Sequence, residues 1–378
     1  KHSEKPEEFR ELIMARSHGP YLEMFARDGR TGWTSWGNEV EQPAMSRAKG
    51  NLMEPPQRTS TRLMKTVDLF SGCGGMTKGF QNAGFDVVVA YDNWAPAIAV
   101  YRKNFDHPAH VADLTDPEVK ASIVEMQPEV IIGGPPCQDF STAGHQDESL
   151  GRAVLTIEFA KIVAAAHPDY FVMENVANIR RSGVLPQALE ILRGAGYGVT
   201  SEVLDASRCG VPQSRKRFFL AGAIGAPDDF LGDALQRNLT PAPMTIHDYL
   251  GDSLGVEYYF RVPTNYNRRG VFSIHEPSVC IRGQDRPIPP GYLGHPSDPV
   301  AIGPEVRGLT VKERSYIQTF PPDFEFEGTK TNLNQMIGNA VPVKMAEYVA
   351  RQLMQYAQGE QAGPIGATKC LDLLSLIT

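Results

Sequence analysis

Between residues 65 and 175 the chain alternates short apolar runs with longer stretches of helical spacing. TVDLF (66–70), the run from Asp86 to Tyr91, VII (130–132) and YFVM (170–173) are rich in β-branched and aromatic residues. Such residues pack well on a pleated surface, so each run predicts a strand. A further strand ends near VAD (111–113), and helical patterns cover 76–83 and 155–166. Strands alternating with helices imply a parallel sheet covered on both faces. The expected fold class is therefore α/β, with a doubly wound, mostly parallel sheet.

After Gly222 the pattern weakens. Residues 223–306 are rich in Pro, Gly, Asp and Arg, with short aromatic runs such as Tyr258-Tyr259-Phe260. They predict a second, smaller and irregular domain. Periodicity returns over 309–320, and 341–357 reads as a final helix. The tail from Gln358 is expected to lack fixed structure. At the other end, 6–13 reads as a short amphipathic helix with Pro6 near its start, 21–25 as a candidate strand, and 42–61 as a Pro/Ser/Arg-rich linker. The expected division is an N-terminal extension (1–61), a core (62–222), the irregular domain (223–306), a return to the core (307–357) and a tail (358–378).

Composition narrows the class. No apolar run approaches the roughly 18 residues of a membrane span, and no signal peptide is expected. The five cysteines (73, 137, 209, 280 and 370) are scattered without a CxxC pair. That disfavours a disulfide framework or a zinc site and fits a reducing, cytoplasmic compartment. The net charge of −7 does not advertise a nucleic-acid binder. Local patches can hide in such a total. Arg208, Arg215, Lys216 and Arg217 cluster in one stretch, and Arg261, Arg268, Arg269, Arg282 and Arg286 in another.

The chemistry centres on VIIGGPPCQDFS (130–141). An apolar run stopped by two glycines and two prolines sets Cys137 on a stiffened loop at the carboxyl end of a strand. Ligands of open α/β sheets bind at that edge. A lone cysteine is more often an inert core residue, but a core position needs no such lead-in and a displayed nucleophile does. A glycine-rich turn, SGCGG (71–75), follows the first strand and lets backbone approach a ligand closely. With no GxxxxGK[ST] in the chain, a phosphate cradle is disfavoured. Asp92 follows the second strand, where an acid commonly receives ribose hydroxyls.

GGPPCQDFS resembles the catalytic loop of the DNA (cytosine-5)-methyltransferases, and other motifs of that family follow in its order over residues 65–355 or so. The resemblance implies the S-adenosylmethionine-dependent methyltransferase fold. It also implies that cofactor, leaving as S-adenosylhomocysteine. DLFSGCGG (68–75) is similar to the cofactor turn. Asp68, Phe70, Ser71, Gly72, Gly74 and Gly75 are carried over to it, with Phe70 packing on the adenine. Asp92 stands where the family usually has Glu for the ribose, and Asn93 where it often has an apolar residue. Asp113 falls where an Asp receives the adenine amine, with Leu114 beside it. Pro135, Leu155, Asn339 and Ala340 complete the implied pocket, the last two within GNAVP (338–342).

The resemblance makes Cys137 the nucleophile that adds to carbon 6 of cytosine. Glu174 in MENV is similar to the glutamate that bonds N3 and the exocyclic amine, and burial is expected to raise its pKa. Arg217 in QSRKRFF (213–219) corresponds to the arginine at O2, with Arg215 supporting it. Gln138 and Ser141, on a segment that reads as a loop able to close over DNA, are placed against the substrate, as are the five arginines of 261–286. Cys280, in PSVCIR, departs from the family's usual threonine.

The implied partner is double-stranded DNA, with no membrane and no metal. Whether a cognate restriction endonuclease acts separately stays open. Residues 19–40 resemble the closing segment of methyltransferases acting on adenine's exocyclic amine, but the DPPW-type motif those enzymes need is absent from the chain. A transfer-RNA methyltransferase of similar fold is an alternative, and its Cys-Phe-Thr element is not found. A non-catalytic DNA-binding relative is another, disfavoured by Cys137, Glu174 and Arg217. A zinc deaminase is disfavoured by the lack of H-x-E with PCxxC.

Overall fold

The computed structural model describes residues 63–136, 149–263 and 268–359. The N-terminal extension, Cys137, Gln138, Ser141 and the end of the C-terminal tail lie outside them.

The N-terminal half builds β1 (Lys65–Leu69), α1 (Gly75–Asn82), β2 (Asp86–Asp92), α2 (Ala95–Asn104), β3 (Ala109–Val111), α3 (Pro117–Glu125), β4 (Val130–Gly133), α4 (Ser149–Ala166) and β5 (Tyr170–Val176). Then come α5 (Val184–Gly194), β6 (Tyr197–Asp205), β7 (Gln213–Ser214) and β8 (Lys216–Ile224). Seven strands form one sheet in the order β3-β2-β1-β4-β5-β8-β6. Neighbours run parallel from β3 to β5, whereas β8 is antiparallel to both β5 and β6. The sheet is thus mostly parallel, and its strand order turns back beside β1 and β4, where open α/β folds bind ligands.

Every residue of β4 is buried. Helices cover both faces, so the strands read as continuous apolar runs rather than alternating ones. Val130, Ile132 and Val172 pack on one face with Phe80 of α1 and Val349 and Leu353. Ile131 and Phe171 point the other way, to Phe159 and Val163 of α4 and Leu192 of α5. Among the described residues no helix is long and apolar enough to cross a membrane.

The rest of the chain holds α6 (Gly232–Arg237), α7 (Ile246–Leu250), β9 (Tyr258–Phe260), β10 (Val271–Ser273), β11 (Ser278–Val279), β12 (Arg307–Gly308), α8 (Val311–Ile317), α9 (Lys330–Asn339) and α10 (Val343–Ala357). A small sheet of order β10-β9-β12 and the two-stranded pair β11-β7 are its only sheets among the described residues. An apolar cluster of Phe272, Ile281, Leu309, Ile317 and Phe320 joins these elements to Ile98 and Tyr101 of α2.

Boundaries differ from the sequence reading in two informative places. The fifth strand runs on past Met173 because β8 pairs with it as far as Val176 opposite Arg217, so Glu174 lies within the sheet rather than after it. The last helix starts at Val343, because Pro342 stands extended at its N-cap.

Candidate active site

Two loops at the carboxyl edge of the sheet carry the site. The turn after β1 is tightly bent, with Phe70, Gly72 and Gly74 all in the left-handed region. That conformation is easy for glycine and strained for phenylalanine, and strain of this kind concentrates at functional sites. A Cβ on Gly74 would lie 2.3 Å from the Phe105 ring, and one on Gly75 2.3 Å from the Val341 carbonyl oxygen. The turn is therefore held against the segment before α10, which only a residue without a side chain permits. Asp92 ties the turn to β2: its Oδ2 accepts the Gly72 N–H at 2.8 Å and its Oδ1 the Trp94 N–H at 2.8 Å. Burial pushes its carboxyl above the ordinary range.

Asp68 lies beneath this turn and is fully buried. Its Oδ2 accepts the Thr77 hydroxyl, and burial raises its pKa from 3.8 to about 7. Asp68 Oδ1 and Ser71 Oγ are buried without a hydrogen-bond partner among the described residues. Above Gly72 a Cβ would meet nothing within 4 Å. The turn thus offers unused polar groups beside open space. Of the remaining expected pocket residues, Asn93 is exposed, Leu114 buried and Leu155 half-buried. Asp113 is exposed and accepts the Thr115 N–H and hydroxyl at 2.8 Å each. Asn339 is exposed at the end of α9 and accepts from Gln335 at 3.1 Å.

The second loop is the Gly-Gly-Pro-Pro lead-in to Cys137. Asn175 holds it, donating through Nδ2 to the Pro135 carbonyl at 3.0 Å. Next to Asn175, Glu174 is buried, with Arg217 Nε 2.9 Å from its Oε1. Glu174 stands opposite Phe219, so Arg217 reaches it diagonally from the same face of β8. Burial raises the Glu174 pKa, against the pull of Arg217 and Arg215. A Cβ on Gly134 would lie 3.5 Å from Glu174 Oε2, an ordinary contact that places the lead-in beside the acid.

Arg215 does something different from Arg217. Its buried guanidinium donates to the carbonyls of Ile281 (3.0 Å), Gly338 (2.9 Å) and Ala340 (3.2 Å), and its Nη1 lies 3.4 Å from Cys280 Sγ. It pins the PSVCIR stretch and the end of α9 to the strand that carries Arg217. Burial and the neighbouring Arg217 lower its pKa to about 10. Gln213 and Gln318 complete this clamp. Gln213 donates to Gln318 Oε1 at 2.7 Å and accepts the Ile281 N–H at 2.9 Å, and Gln318 donates to the Ile337 and Ala340 carbonyls. Sequence reasoning missed Asn175, Gln213 and Gln318. Asn175 and Gln213 sit inside MENV and QSRKRFF, and Gln318 inside RGLTVKERSYIQTFPPDF (307–324), which resembles the family's helix leading back to the core.

The five arginines of 261–286 separate into two kinds. Arg269 is ion-paired to Glu276 and lies over the Phe272 ring, 4.5 Å from its centroid. Arg261, Arg268, Arg282 and Arg286 have no carboxylate partner among the described residues. Burial and the nearby Arg282 lower the Arg261 pKa to about 10. Arg261, Arg268 and Arg269 line a cavity of about 430 Å³ together with His295. Two of the three arginines on this cavity, Arg261 and Arg268, thus have no carboxylate partner among the described residues.

The C-5 cytosine-specific DNA methylase family matches residues 64–257 and 262–355. The chain is 54% identical over 295 residues to the type II methyltransferase M.HindV of Haemophilus influenzae, covering 78% of this chain and 97% of that protein. It is 52% identical over 294 residues to the type II methyltransferase M.HgiDI of Herpetosiphon aurantiacus, covering 78% and 95%. In fold it is similar to the Dnmt2 methyltransferase of S. pombe, with a TM-score of 0.58 at 17% identity over 78% of this chain and 99% of that one. The chain belongs to the C-5 cytosine-specific DNA methylases, the enzymes that methylate carbon 5 of cytosine in DNA.

Proposed function

We propose that the chain is the modification methyltransferase of a type II restriction system. It acts on a flipped cytosine within one specific duplex sequence and uses S-adenosylmethionine as donor. The observation that carries this reading is the pair of buried Glu174 and half-buried Arg217, 2.9 Å apart, beside the lead-in to Cys137. The names of the two bacterial relatives support the restriction-modification setting. In this reading residues 62–222 and 307–357 are the catalytic domain, 223–306 choose the sequence, and the DNA substrate implies a cytoplasmic place of action.

Asp68, Ser71 and the open space over Gly72 fit a bound polar group, and Phe70, Asp92, Asp113 and Asn339 surround the same edge of the sheet. Bound there, S-adenosylmethionine supplies a methyl group on a cationic sulfur. The chain's own residues make cytosine able to take it. The Cys137 thiolate adds to carbon 6, forming a carbon–sulfur bond and moving electron density onto N3 and O2. Burial pushes the Glu174 carboxyl up, toward the protonated form, and in that form it donates to N3. Once neutral it no longer holds Arg217 by charge, so the guanidinium can serve O2. Carbon 5 then bonds the methyl group. Its proton leaves to a base or water, N3 returns its proton to Glu174, and the thiolate departs as the 5,6 double bond re-forms. Extrusion of the base precedes these steps, because carbon 5 and carbon 6 cannot be reached while the base is stacked in the duplex.

A covalent trap tests the reading. Fluorine at carbon 5 cannot leave as a cation, so wild-type protein with S-adenosylmethionine and a 5-fluorocytosine duplex should stay attached through denaturing electrophoresis. Cys137→Ser should form no adduct, because a hydroxyl is a much weaker nucleophile at neutral pH, yet should still bind DNA. Cys73 is the only rival in the cofactor turn. It is 1% exposed and burial raises its pKa from 9.0 to about 12, so it holds no thiolate at neutral pH. An adduct formed by Cys137→Ser would overturn the assignment.

A further inference from the structure

Asp68, fully buried beneath the turn after β1, takes no part in the proton transfers of the proposed reaction. A row of three side chains leads from it to the surface. Thr77 of α1 donates its hydroxyl to Asp68 Oδ2. The Tyr101 hydroxyl of α2 lies 2.9 Å from Thr77 Oγ1, and His107 Nε2 lies 2.6 Å from the Tyr101 hydroxyl. Thr77 and Tyr101 are fully buried, whereas His107 is half-buried and reaches solvent. The Phe105 and Tyr101 rings also floor the turn, 2.3 Å and 3.1 Å from a Cβ built on Gly74. Most side-chain hydrogen bonds go to backbone or water. Here three in succession join side chains and end at an imidazole.

Each hydroxyl donates once and also accepts, so the row has two self-consistent orders. With Asp68 ionised, Thr77 donates to it, Tyr101 donates to Thr77, and His107 donates from Nε2. With Asp68 protonated, the acid donates to Thr77, Thr77 to Tyr101, and Tyr101 to His107, which then accepts at Nε2 and carries its proton on Nδ1. Passing from the second order to the first breaks three O–H bonds and makes two O–H bonds and one N–H bond. Nδ1 then gives its proton to water, and one proton has left the interior. The end groups suit this exchange. Burial raises the Asp68 pKa from 3.8 to about 7, with the Thr77 hydroxyl opposing it and Asp92, at the end of β2, adding a like charge. Its sheet neighbours Ala90 and Ile132 are uncharged. Burial lowers the His107 pKa, against the pull of Asp86 and Asp106, so the imidazole is mainly neutral at pH 7. Burial raises Tyr101, so the phenol between them keeps its proton.

We infer that Thr77, Tyr101 and His107 form a proton path along which Asp68 is unloaded when a cationic methyl donor occupies the turn and reloaded when a neutral product remains. The inference rests on the proposed S-adenosylmethionine reading. The sulfonium of that donor is positive, and the thioether of its product is uncharged. A buried carboxylate beside a cation favours its ionised form, and the same carboxylate without the cation is costly. The row occupies only one of the two Asp68 oxygens, since Oδ1 has no hydrogen-bond partner among the described residues. A fully buried acid that changes its protonation needs an exit, and the row supplies one through the protein rather than through the pocket.

The test uses the full chain without DNA. Titration calorimetry near pH 6.5, in buffers of different ionisation enthalpy, counts the protons released on binding. With S-adenosylmethionine, wild type should release roughly three-quarters of a proton more than Asp68→Asn, the fraction of an acid titrating near 7 that is protonated there. With S-adenosylhomocysteine the two proteins should release the same. In nitrogen-15 spectra of labelled histidine, the His107 signal, assigned by its loss in His107→Gln, should pass from the Nδ1–H to the Nε2–H tautomer when the donor binds. Tyr101→Phe keeps the ring on Gly74, and Thr77→Val keeps the side-chain shape. Each should abolish the tautomer change, and Thr77→Ser should preserve it. Four outcomes would overturn the path: one His107 tautomer in free and donor-bound wild type, equal proton release from wild type and Asp68→Asn with the donor, the same difference with S-adenosylhomocysteine, or a tautomer change that survives in Tyr101→Phe. A chain that binds no S-adenosylmethionine would overturn the cofactor reading and the path with it. Proton release and tautomer change in a chain that methylates no DNA would overturn the functional reading and leave the path standing.

Discussion

Asp68, Asp92 and Glu174, near the carboxyl ends of β1, β2 and β5, are all pushed above the ordinary carboxyl range by burial. Asp248, Asp298 and Glu313, in the stretch after the sheet, are all held below it. Burial acts on Asp298 too, but the N–H groups of Val271, His295 and Gly270 and the Tyr292 hydroxyl outweigh it. Burial likewise raises Glu313, and Arg307 and Thr310 overcome it. Asp248 is lowered by the Thr245 N–H and hydroxyl. The loop acids hold the backbone together. The acids of the sheet strain against their surroundings, and a group kept in place against its own solvation is a candidate for chemistry.

The comparison breaks first at Glu174. If it is a proton donor rather than a structural acid, Glu174→Gln should cut kcat roughly 10²–10⁴-fold, as loss of a positioned acid does. The amide keeps the shape of the neutral carboxyl, so the melting temperature should change little. Single-turnover methylation and a thermal melt measure the two. A variant that loses activity only in proportion to lost fold would make Glu174 a loop-type acid after all.

Asp68 and Asp298 should respond to pH with opposite signs. The folded pKa of Asp68 is about 7 against 3.8 unfolded, so its contribution is fully present below about 3.8 and lost as pH rises toward 7. The difference amounts to about 4 kcal/mol. Asp68→Asn should therefore be stabilised relative to wild type at pH 8 and lose that advantage near pH 4, as denaturant melts at the two pH values would read. For Asp298 the folded pKa is depressed, so its contribution is present above about 3.8 and lost as pH falls through the folded value. Asp298→Ala leaves three N–H groups and a hydroxyl without their acceptor. It should destabilise by roughly 1–3 kcal/mol at pH 7, with hydrogen exchange at Gly270 and Val271 as the local readout. A difference between variant and wild type that does not change with pH would mean that the wild-type carboxyl does not titrate as its surroundings require.

The same contrast explains what could be read from residues alone. Runs such as VII at 130–132 are buried on both faces, and burial on both faces writes itself as unbroken hydrophobicity. The order of alternating elements then implied the parallel sheet. The reversed β8 was not legible, because its residues are as apolar as those of a parallel neighbour. Nor was the clamp at Gln213 and Gln318, whose partners lie 105 residues apart. The small sheet rests on single anchors such as Asp298, and anchors have no period. Equal-looking arginines also split on facts beyond their spelling: Arg215 and Arg217 stand two positions apart, yet one grips carbonyls and the other an acid.

The smallest effect expected separates Arg268 from Arg269. They are adjacent in sequence and line one cavity, but Arg269 is held by Glu276 and Phe272 while Arg268 is exposed without a carboxylate partner among the described residues. A cation free to meet a phosphate displaces condensed counterions when DNA binds, so removing it lowers the salt slope of binding by about 1. Arg268→Ala should do that and weaken all sequences alike by about 1 kcal/mol at moderate salt. Arg269→Ala should leave the salt slope unchanged. It also leaves Glu276 without its partner, although Glu276 still accepts the Ser273 N–H at 3.0 Å. Its loss should therefore cost up to about 1 kcal/mol of stability, the range of a partly exposed ion pair, and show as a lower melting temperature. Fluorescence titrations at several salt concentrations, beside a thermal melt, measure both. Equal salt slopes for the two variants would mean that Arg269 leaves Glu276 when DNA arrives, and the division between loop charges that hold the fold and those that meet DNA would fail at this cavity.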